Sequence, residues 1–158
     1  ARQERDLAAL IEQTNAALYA QNATSMFATL FYGILDLDER RLEYVNCGHN
    51  APFLVRDGGC EPLPGGGVPL GFYPDRTWTK QAVDLRSGDG VFVFTDGVTE
   101  AANPSGEEYG EARLVELLAT LARREAPTMV QAVMADVDRF AGGGDPFDDV
   151  TCVAALLR

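Results

Sequence analysis

The sequence predicts an α+β domain in which helices pack on antiparallel sheets. Most strand-like segments precede two long helical segments, and one further apolar strand closes the chain. Strands grouped before helices are typical of α+β folds, whereas a parallel sheet needs strands and helices in alternation. A length of 158 residues with 46% hydrophobic residues suits one such domain, so we expect residues 1–158 to form a single unit.

The first half of the chain predicts one helix and a series of strands. An amphipathic helix is expected within residues 5–20, because apolar residues recur there at helical spacing: Leu7, Leu10, Ile11 and Leu18. Aromatic and β-branched residues predict a hairpin of two strands, over 27–35 and 42–46. Two more strands are predicted over 52–55 and 78–85, with a glycine-rich loop between them.

The second half predicts a buried strand, two helices and a closing strand. The run Val91-Phe92-Val93-Phe94 has no polar face, which is typical of a strand buried on both sides. Helices are expected over 111–124 and 128–140, the second with Pro127 near its start. The last strand is expected over 150–157.

Acidic residues lie at the ends of two of these strands. Asp96 follows the buried run, and Gly97 lets the chain turn sharply after it. Asp148 and Asp149 begin the closing strand. If the two strands pair antiparallel, one of these acids meets Asp96, and close carboxylates repel unless they share a proton or bind a cation.

Such a carboxylate pair is suited to hard divalent ions such as Mg²⁺ and Mn²⁺. Two such ions would make hydrolysis of a phosphate ester the natural chemistry. The alternative is that Asp96, Asp148 and Asp149 are turn and strand-end acids bonded to backbone amides. Spacing alone does not decide between the two.

The composition excludes several classes of partner. A formal net charge of −11 and a pI near 4.4 argue against nucleic acid, which needs clustered Lys and Arg. Three cysteines without CxxC spacing indicate neither a disulfide framework nor a zinc site, so we expect a reducing cytoplasm. The longest apolar run, over 26–35, is too short to span a bilayer, so no membrane partner is expected.

Six segments follow one another along the chain: MFATLFYGILD, LEYVNCGHNAPFLVR, VPLGF, FTDGVTEA, GEEYG and DDVTCVAALLR. Together they closely resemble the bacterial metal-dependent serine/threonine phosphatases of the stage II sporulation protein E type, within the type 2C phosphatase superfamily. The resemblance implies an antiparallel β-sandwich flanked by helices, in the αββα order, with a binuclear Mn²⁺ or Mg²⁺ centre at one edge. By motif position, Asp96 and Asp148 would be metal ligands, with Asp149 in a neighbouring place that is often Asn in relatives.

The resemblance also implies a reaction and its partners. In this family a metal-activated water attacks phosphorus directly, which agrees with the lack of a convincing Ser or Cys nucleophile here. The expected substrate is a phosphoserine or phosphothreonine protein in bacterial signalling, often an anti-anti-sigma factor. The domain commonly lies behind a sensor domain. Helix faces near Leu7 to Leu18 fit either a second subunit or ordinary core packing.

The chain departs from the family pattern in one respect. Family members carry two upstream acidic motifs, a glycine-preceded Asp before a strand and an Asp-Val-Ser-Gly-His-Gly type run, and neither occurs here. We therefore expect the C-terminal two-thirds of a phosphatase domain, with weak metal binding and slow turnover. Asp145 or Asp149 are the candidates for substitute ligands.

His49, the only histidine, has two interpretations. A lone histidine is commonly a structural residue, but His49 follows a predicted strand end that often carries an acid near the metals in the wider superfamily. It is thus a candidate for contact with the leaving group or the water.

Two rival enzyme classes fail on single features. A haloacid dehalogenase needs a nucleophilic acid where Phe94 stands, and a receiver domain needs a parallel βα alternation. The serious alternative is a non-catalytic interaction module, either a degenerate phosphatase fold or a truncated one.

Overall fold

A computed structural model of the protein describes residues 6–23, 25–143 and 149–158. The elements in chain order are α1 (Leu7–Ala20), β1 (Leu30–Asp36), β2 (Arg41–Cys47), β3 (Phe53–Arg56), β4 (Gly59–Pro62), β5 (Gln81–Asp84), β6 (Gly90–Phe94), α2 (Asp96–Thr99), α3 (Gly110–Thr120), α4 (Ala126–Ala141) and β7 (Cys152–Leu156). They form two compact units, one within Ala1–Ala51 and Pro64–Leu85, the other within Pro52–Leu63 and Arg86–Arg158.

The first unit is a three-stranded antiparallel sheet with one helix. Its strand order is β1-β2-β5, and Gly33 of β1 lies opposite Tyr44 of β2. Asp6 begins α1 by accepting a hydrogen bond from the Ala9 amide at 3.1 Å, the usual role of an N-cap acid. The helix and the sheet share one core, whose buried members are Leu7, Ile11, Val45, Cys47, Leu70 and Trp78.

A buried polar side chain joins α1 to the loop before β5. Asn15 is 0% exposed, and its Nδ2 donates to the carbonyl oxygens of Tyr73 at 2.8 Å and Pro74 at 3.2 Å. Its Oδ1 accepts from the Gly71 amide at 2.8 Å. Burial of an amide side chain is tolerated when its hydrogen-bonding groups are paired, so Asn15 fixes this loop on the helix.

The second unit is a four-stranded antiparallel sheet covered by helices α3 and α4. Its strand order is β4-β3-β6-β7. Phe53 of β3 stacks on Phe94 of β6 with ring centroids 5.4 Å apart. The core between sheet and helices consists of Phe53, Val55, Phe92, Phe94, Val98, Tyr109, Leu114, Leu118, Met129, Val133 and Val137. Pro127 lies in the first turn of α4, and Gly142 ends that helix with a φ of 67°.

Most predicted elements are present with shifted ends, and the α+β class is confirmed. The first strand begins at Leu30 rather than at residue 27, and β5 begins only at Gln81, because the backbone over residues 78–80 is not in a ladder. Helix α3 ends at Thr120, before the predicted end. Strand β4 and the one-turn helix α2 have no counterpart among the predicted elements. Among the described residues, no helix is long and apolar enough to cross a membrane.

The Cys47 side chain is buried, and those of Cys60 and Cys152 are half-buried. Burial raises the pKa of Cys47 and of Cys152 to about 11 each. Burial, followed by the nearby Glu61 carboxylate, raises the pKa of Cys60 to about 11 as well. Because the reactive form is the thiolate, a raised pKa lowers the reactivity of these cysteines at neutral pH.

We predict that alkaline pH lowers the stability of the fold. A raised pKa keeps the thiol protonated in the folded chain at pH values where the thiol of the unfolded chain ionises. The contribution of the thiol to the free energy of unfolding is therefore intact below pH 9.0 and is lost as the pH approaches about 11. Burial also raises the pKa of Tyr109, which adds to the loss above pH 10.0. Urea denaturation at several pH values measures this loss.

A variant with all three cysteines replaced by alanine separates the two contributions. Its free energy of unfolding should fall less steeply with pH than that of the parent, because only the tyrosine contribution remains. Equal slopes in the two proteins would show that the thiols do not titrate differently on folding.

Candidate functional site

The end of β6 and the beginning of β7 lie side by side. The two strands pair antiparallel from Gly90, opposite Leu156, to Phe94, opposite Cys152. The antiparallel pairing expected from the sequence is therefore observed. It brings the chain that precedes β7 next to the residues that follow β6.

Thr95 extends the connection beyond the last pair of the ladder. Its amide donates to the Thr151 carbonyl at 3.1 Å, and the Thr151 amide donates to Thr95 Oγ1 at 2.9 Å. The hydroxyl in turn donates to the Asp149 carbonyl at 2.8 Å. The Thr95 side chain thus bonds to the segment that carries Asp149, and Thr95 itself immediately precedes Asp96.

Asp96 opens the one-turn helix α2 and is anchored through its backbone. Its carbonyl accepts from the Glu100 amide at 2.8 Å and from Thr99 Oγ1 at 3.1 Å. One carboxylate oxygen, Oδ1, accepts from the Gly97 amide at 3.1 Å. Since Val98 is fully buried while Asp96 is exposed, the core fixes this turn and the carboxylate lies at the surface.

The structure places the predicted acids as follows. Asp149 is exposed, and its backbone is held by Thr95. Asp145 and Asp148 lie outside the described residues. Asp96 and Asp149 are the two predicted acids that the structure describes, and they lie on segments joined by the Thr95 hydrogen bonds.

The described acids supply only part of a metal site. Carboxylate oxygens are the donors that Mg²⁺ and Mn²⁺ prefer, so the chemistry of Asp96 and Asp149 suits these ions. Among residues 6–23, 25–143 and 149–158, however, no group of three or more His, Cys, Asp or Glu side chains is placed to hold a metal ion. The described residues alone therefore do not form a complete binuclear centre.

His49 lies in the first unit, in a turn closed by Asn46. Asn46 Oδ1 accepts from the His49 amide and Asn46 Nδ2 donates to the His49 carbonyl, both at 2.9 Å. The ring Nδ1 lies 2.9 Å from the Asn50 carbonyl oxygen. Because a carbonyl only accepts, Nδ1 carries the hydrogen, and Nε2 is the nitrogen left to exchange a proton. The role of His49 stays a prediction.

The turn around His49 tolerates little change. Gly48 has a φ of +74°, and a Cβ added there would lie 2.8 Å from Pro69 side-chain carbons and 2.9 Å from the Pro69 nitrogen. A residue with a side chain would therefore strain both its own backbone and the neighbouring loop. The glycine before His49 is explained by local packing.

Thr95 is the functional candidate that the sequence reasoning missed. Thr occupies the residue before a helix as a common N-cap, where its hydroxyl usually accepts from the helix. Here Thr95 precedes α2 but makes no such capping bond, and its hydroxyl bonds to the chain before β7 instead. A sequence signal did exist, because a threonine accompanies both acidic motifs, in TDG and in DDVT.

Comparison with known proteins shows the family to which the chain belongs. The family model described as stage II sporulation protein E (SpoIIE) matches residues 1–158. The chain belongs to the SpoIIE family. The match includes both acidic motifs of the candidate site, Asp96 and the pair Asp148 and Asp149.

Two curated relatives of this SpoIIE-family chain are bacterial proteins. Protein IcfG of Synechocystis sp. is 34% identical over 134 residues, which are 82% of this chain and 20% of that protein. Phosphoserine phosphatase RsbU of Bacillus subtilis is 28% identical over 99 residues, which are 61% of this chain and 30% of RsbU. The chain thus spans less than a third of either relative.

A solved structure shows the fold. The SiaA-PP2C domain of Pseudomonas aeruginosa matches with a TM-score of 0.82 at 22% identity, over 98% of this chain and 62% of that chain. At this identity the likeness is one of fold. The chain is a phosphatase-fold protein of the type 2C kind, which confirms the predicted fold class.

We predict that Thr95→Val loosens the segment before β7, whereas Thr95→Ser does not. Valine keeps the volume but removes the hydroxyl, so the Thr151 amide loses its acceptor and the Asp149 carbonyl loses its donor. We expect faster hydrogen exchange at Thr151, measured by NMR, and a loss of about 1–2 kcal/mol in the free energy of unfolding. Equal protection of Thr151 in the Val and Ser variants would contradict the assigned hydrogen bonds.

Proposed function

We propose that the chain is part of a metal-dependent phosphoprotein phosphatase that hydrolyses phosphoserine or phosphothreonine in bacterial signalling. The observation that supports this proposal is the Thr95 connection, in which the residue before Asp96 donates a hydrogen bond to the backbone carbonyl of Asp149 where β6 and β7 adjoin. Membership of the SpoIIE family supports the same reaction. The relative RsbU is a phosphoserine phosphatase, which supports phosphoserine as the substrate class.

The proposed ligands on this chain are Asp96 and Asp148, with Asp149 in the neighbouring place. Mn²⁺ or Mg²⁺ bound there would lower the pKa of a water and offset the charge of the phosphate. The contribution of the protein is to hold Asp96 through α2 and to hold the backbone of Asp149 through Thr95. The carboxylates of Asp96 and Asp149 lie at the surface, where a phosphoprotein would reach them.

Full activity, on this proposal, requires further acidic ligands. The two upstream family motifs do not occur in this sequence, and the described residues hold no cluster of three or more ligand side chains. A protein that carries those motifs together with these residues would bind two ions. We further propose an anti-anti-sigma factor as the phosphoprotein, a sensor domain as the regulator and the cytoplasm as the location.

A second candidate function is a non-catalytic interaction module with the phosphatase fold. The incomplete ligand set among the described residues favours it. Such a module does not need the carboxylates of the two acidic motifs for catalysis, so the two functions differ in whether Asp96 affects turnover.

We predict slow, Mn²⁺-dependent hydrolysis of p-nitrophenyl phosphate by the chain, reduced about tenfold or more in Asp96→Asn. The substitution keeps the size of the side chain and removes the charge that attracts the ion. Glu100→Gln is the matched control, because Glu100 is also exposed and follows the same one-turn helix, but has no assigned role. Its rate should equal that of the parent.

The assay also separates the two candidate functions. Turnover that depends on Mn²⁺ and on Asp96 supports the phosphatase. A folded chain with no turnover above the Asp96→Asn variant, on p-nitrophenyl phosphate and on a phosphoserine peptide, supports the interaction module instead.

For His49 we propose a proton-transfer role through Nε2, the nitrogen that the turn leaves without the Asn50 hydrogen bond. Replacement by Asn removes the ring nitrogen that would exchange the proton, so we predict that His49→Asn lowers kcat. The measurement is kcat of the variant and of the parent chain with Mn²⁺ present. An unchanged kcat would assign His49 a structural role only.

A further inference from the structure

The chain that follows Asp96 forms a hairpin over residues 101–109, closed by an isolated antiparallel bridge. At its base, the Tyr109 amide donates to the Ala101 carbonyl at 2.8 Å. Ala101 comes directly after Glu100, the C-cap of the one-turn helix α2 that begins at Asp96. The base of the hairpin and the turn that presents the Asp96 carboxylate are therefore neighbours in the chain, and fixing one restrains the other.

Asn103 stabilises the shape of the hairpin. Its side-chain oxygen, Oδ1, accepts from the Ser105 amide at 2.9 Å and from the Glu107 amide at 3.0 Å. The Asn103 carbonyl accepts from the Gly106 amide at 2.8 Å. An asparagine that binds the amides after it stabilises a turn locally. The shape of the hairpin is thus set within residues 101–109, and its position depends on the elements that it contacts.

Helix α4 contacts the hairpin at its base and near its tip. At the base, Tyr109 is 1% exposed, and its hydroxyl donates to Asp136 Oδ2 at 2.8 Å. The Tyr109 ring also lies edge-on to Phe140, with the ring centroids 5.5 Å apart. Near the tip, a Cβ added to Gly142 at the end of α4 would lie 3.2 Å from Pro104 Cγ, so Pro104 packs closely on the end of the helix.

The hydrogen bond between Tyr109 and Asp136 is not required by packing, because a phenylalanine would fill the same space. Burial, followed by the Asp136 hydrogen bond, raises the pKa of Tyr109, so the hydroxyl stays protonated and donates at neutral pH. The other oxygen of Asp136, Oδ1, accepts from Arg139 at 2.5 Å. A hydrogen bond to a carboxylate is stronger than one between neutral groups, and it fixes direction as well as distance.

Helix α3 braces the hairpin less firmly. Arg113 donates to the carbonyls of Glu108 and Tyr109, both at 3.2 Å. These bonds are longer than the 2.8 Å bond of the Tyr109 hydroxyl, and the Arg113 side chain is 42% exposed, so water competes for its donors. The contact with α4 is therefore the stronger constraint on the position of the hairpin.

We propose that Tyr109 and Asp136 are positioning residues for Asp96. Their hydrogen bond fixes the hairpin on α4, and the hairpin fixes the end of the turn that presents the Asp96 carboxylate. Thr95 fixes the beginning of the same turn, so the carboxylate is held from both sides. The role rests on the proposed function, in which Asp96 is a metal ligand.

The test compares variants of the whole chain by amide hydrogen exchange, measured by NMR without metal. Tyr109→Phe removes the donor, Asp136→Leu removes the acceptor, and Asp136→Asn keeps an acceptor of similar size. In the first two variants, we expect exchange about fivefold or more faster at Val98 and Glu100, whose amides donate within the α2 turn. Asp136→Asn should keep the parental rates. Asp138→Leu is the matched control, because Asp138 is an exposed acid on the same helix.

The ladder between β3 and β6 separates positioning from general stability. Parental exchange rates in this ladder, together with faster exchange in the α2 turn, support the proposal. The same acceleration in the ladder as in the turn would assign Tyr109 a structural role only and overturn it. Unchanged rates at Val98 and Glu100 in Tyr109→Phe would also overturn it.

Turnover separates this role from the proposed function. If the parent chain hydrolyses p-nitrophenyl phosphate with Mn²⁺, Tyr109→Phe should lower kcat while Asp136→Asn keeps it. An unchanged kcat in Tyr109→Phe would overturn the positioning role. A parent chain without turnover counts against the proposed function, and the exchange rates then decide by themselves whether Tyr109 positions the turn.

Discussion

The candidate site depends on one threonine hydroxyl. Thr95 stands between a buried strand and the helix that begins at Asp96, and its side chain bonds to the chain that enters β7. The rigid core under Phe94 and Val98 fixes one side of this connection, and the β6–β7 ladder fixes the other. Carboxylates at the surface are costly to order individually, so their placement has to be determined by the backbone and by Thr95.

This arrangement explains why an acidic surface is compatible with metal chemistry. Most of the net charge of −11 is spread over the surface, whereas Asp96 and Asp149 lie on two segments bonded to each other. A divalent ion that binds two such acids relieves the repulsion between them. Binding of a hard ion is therefore favoured over leaving two neighbouring carboxylates free.

The fold class could be predicted from the sequence because burial follows side-chain pattern. Burial was predicted from two apolar patterns, the continuous run that ends at Phe94 and the helical spacing of Met129, Val133 and Val137. The core of the second unit contains these residues. The antiparallel pairing of β6 with β7 also followed from strand order. What the sequence concealed were features set by tertiary hydrogen bonds: the one-turn helix α2 and the diverted hydroxyl of Thr95. Propensity favours a cap at that position, and the neighbouring strand overrides it.

The central claim is that the residues after β6 and those before β7 form one ion-binding end of the sheet. Titration of the ¹⁵N-labelled chain with Mn²⁺ tests it directly, because paramagnetic broadening detects weak binding and depends on distance from the ion. The account predicts that amide signals of Asp96 and Gly97 broaden together with those of Asp149 and Thr151, at the same low Mn²⁺ concentration. Broadening of one segment without the other, or uniform broadening of acidic residues across the surface, would contradict it.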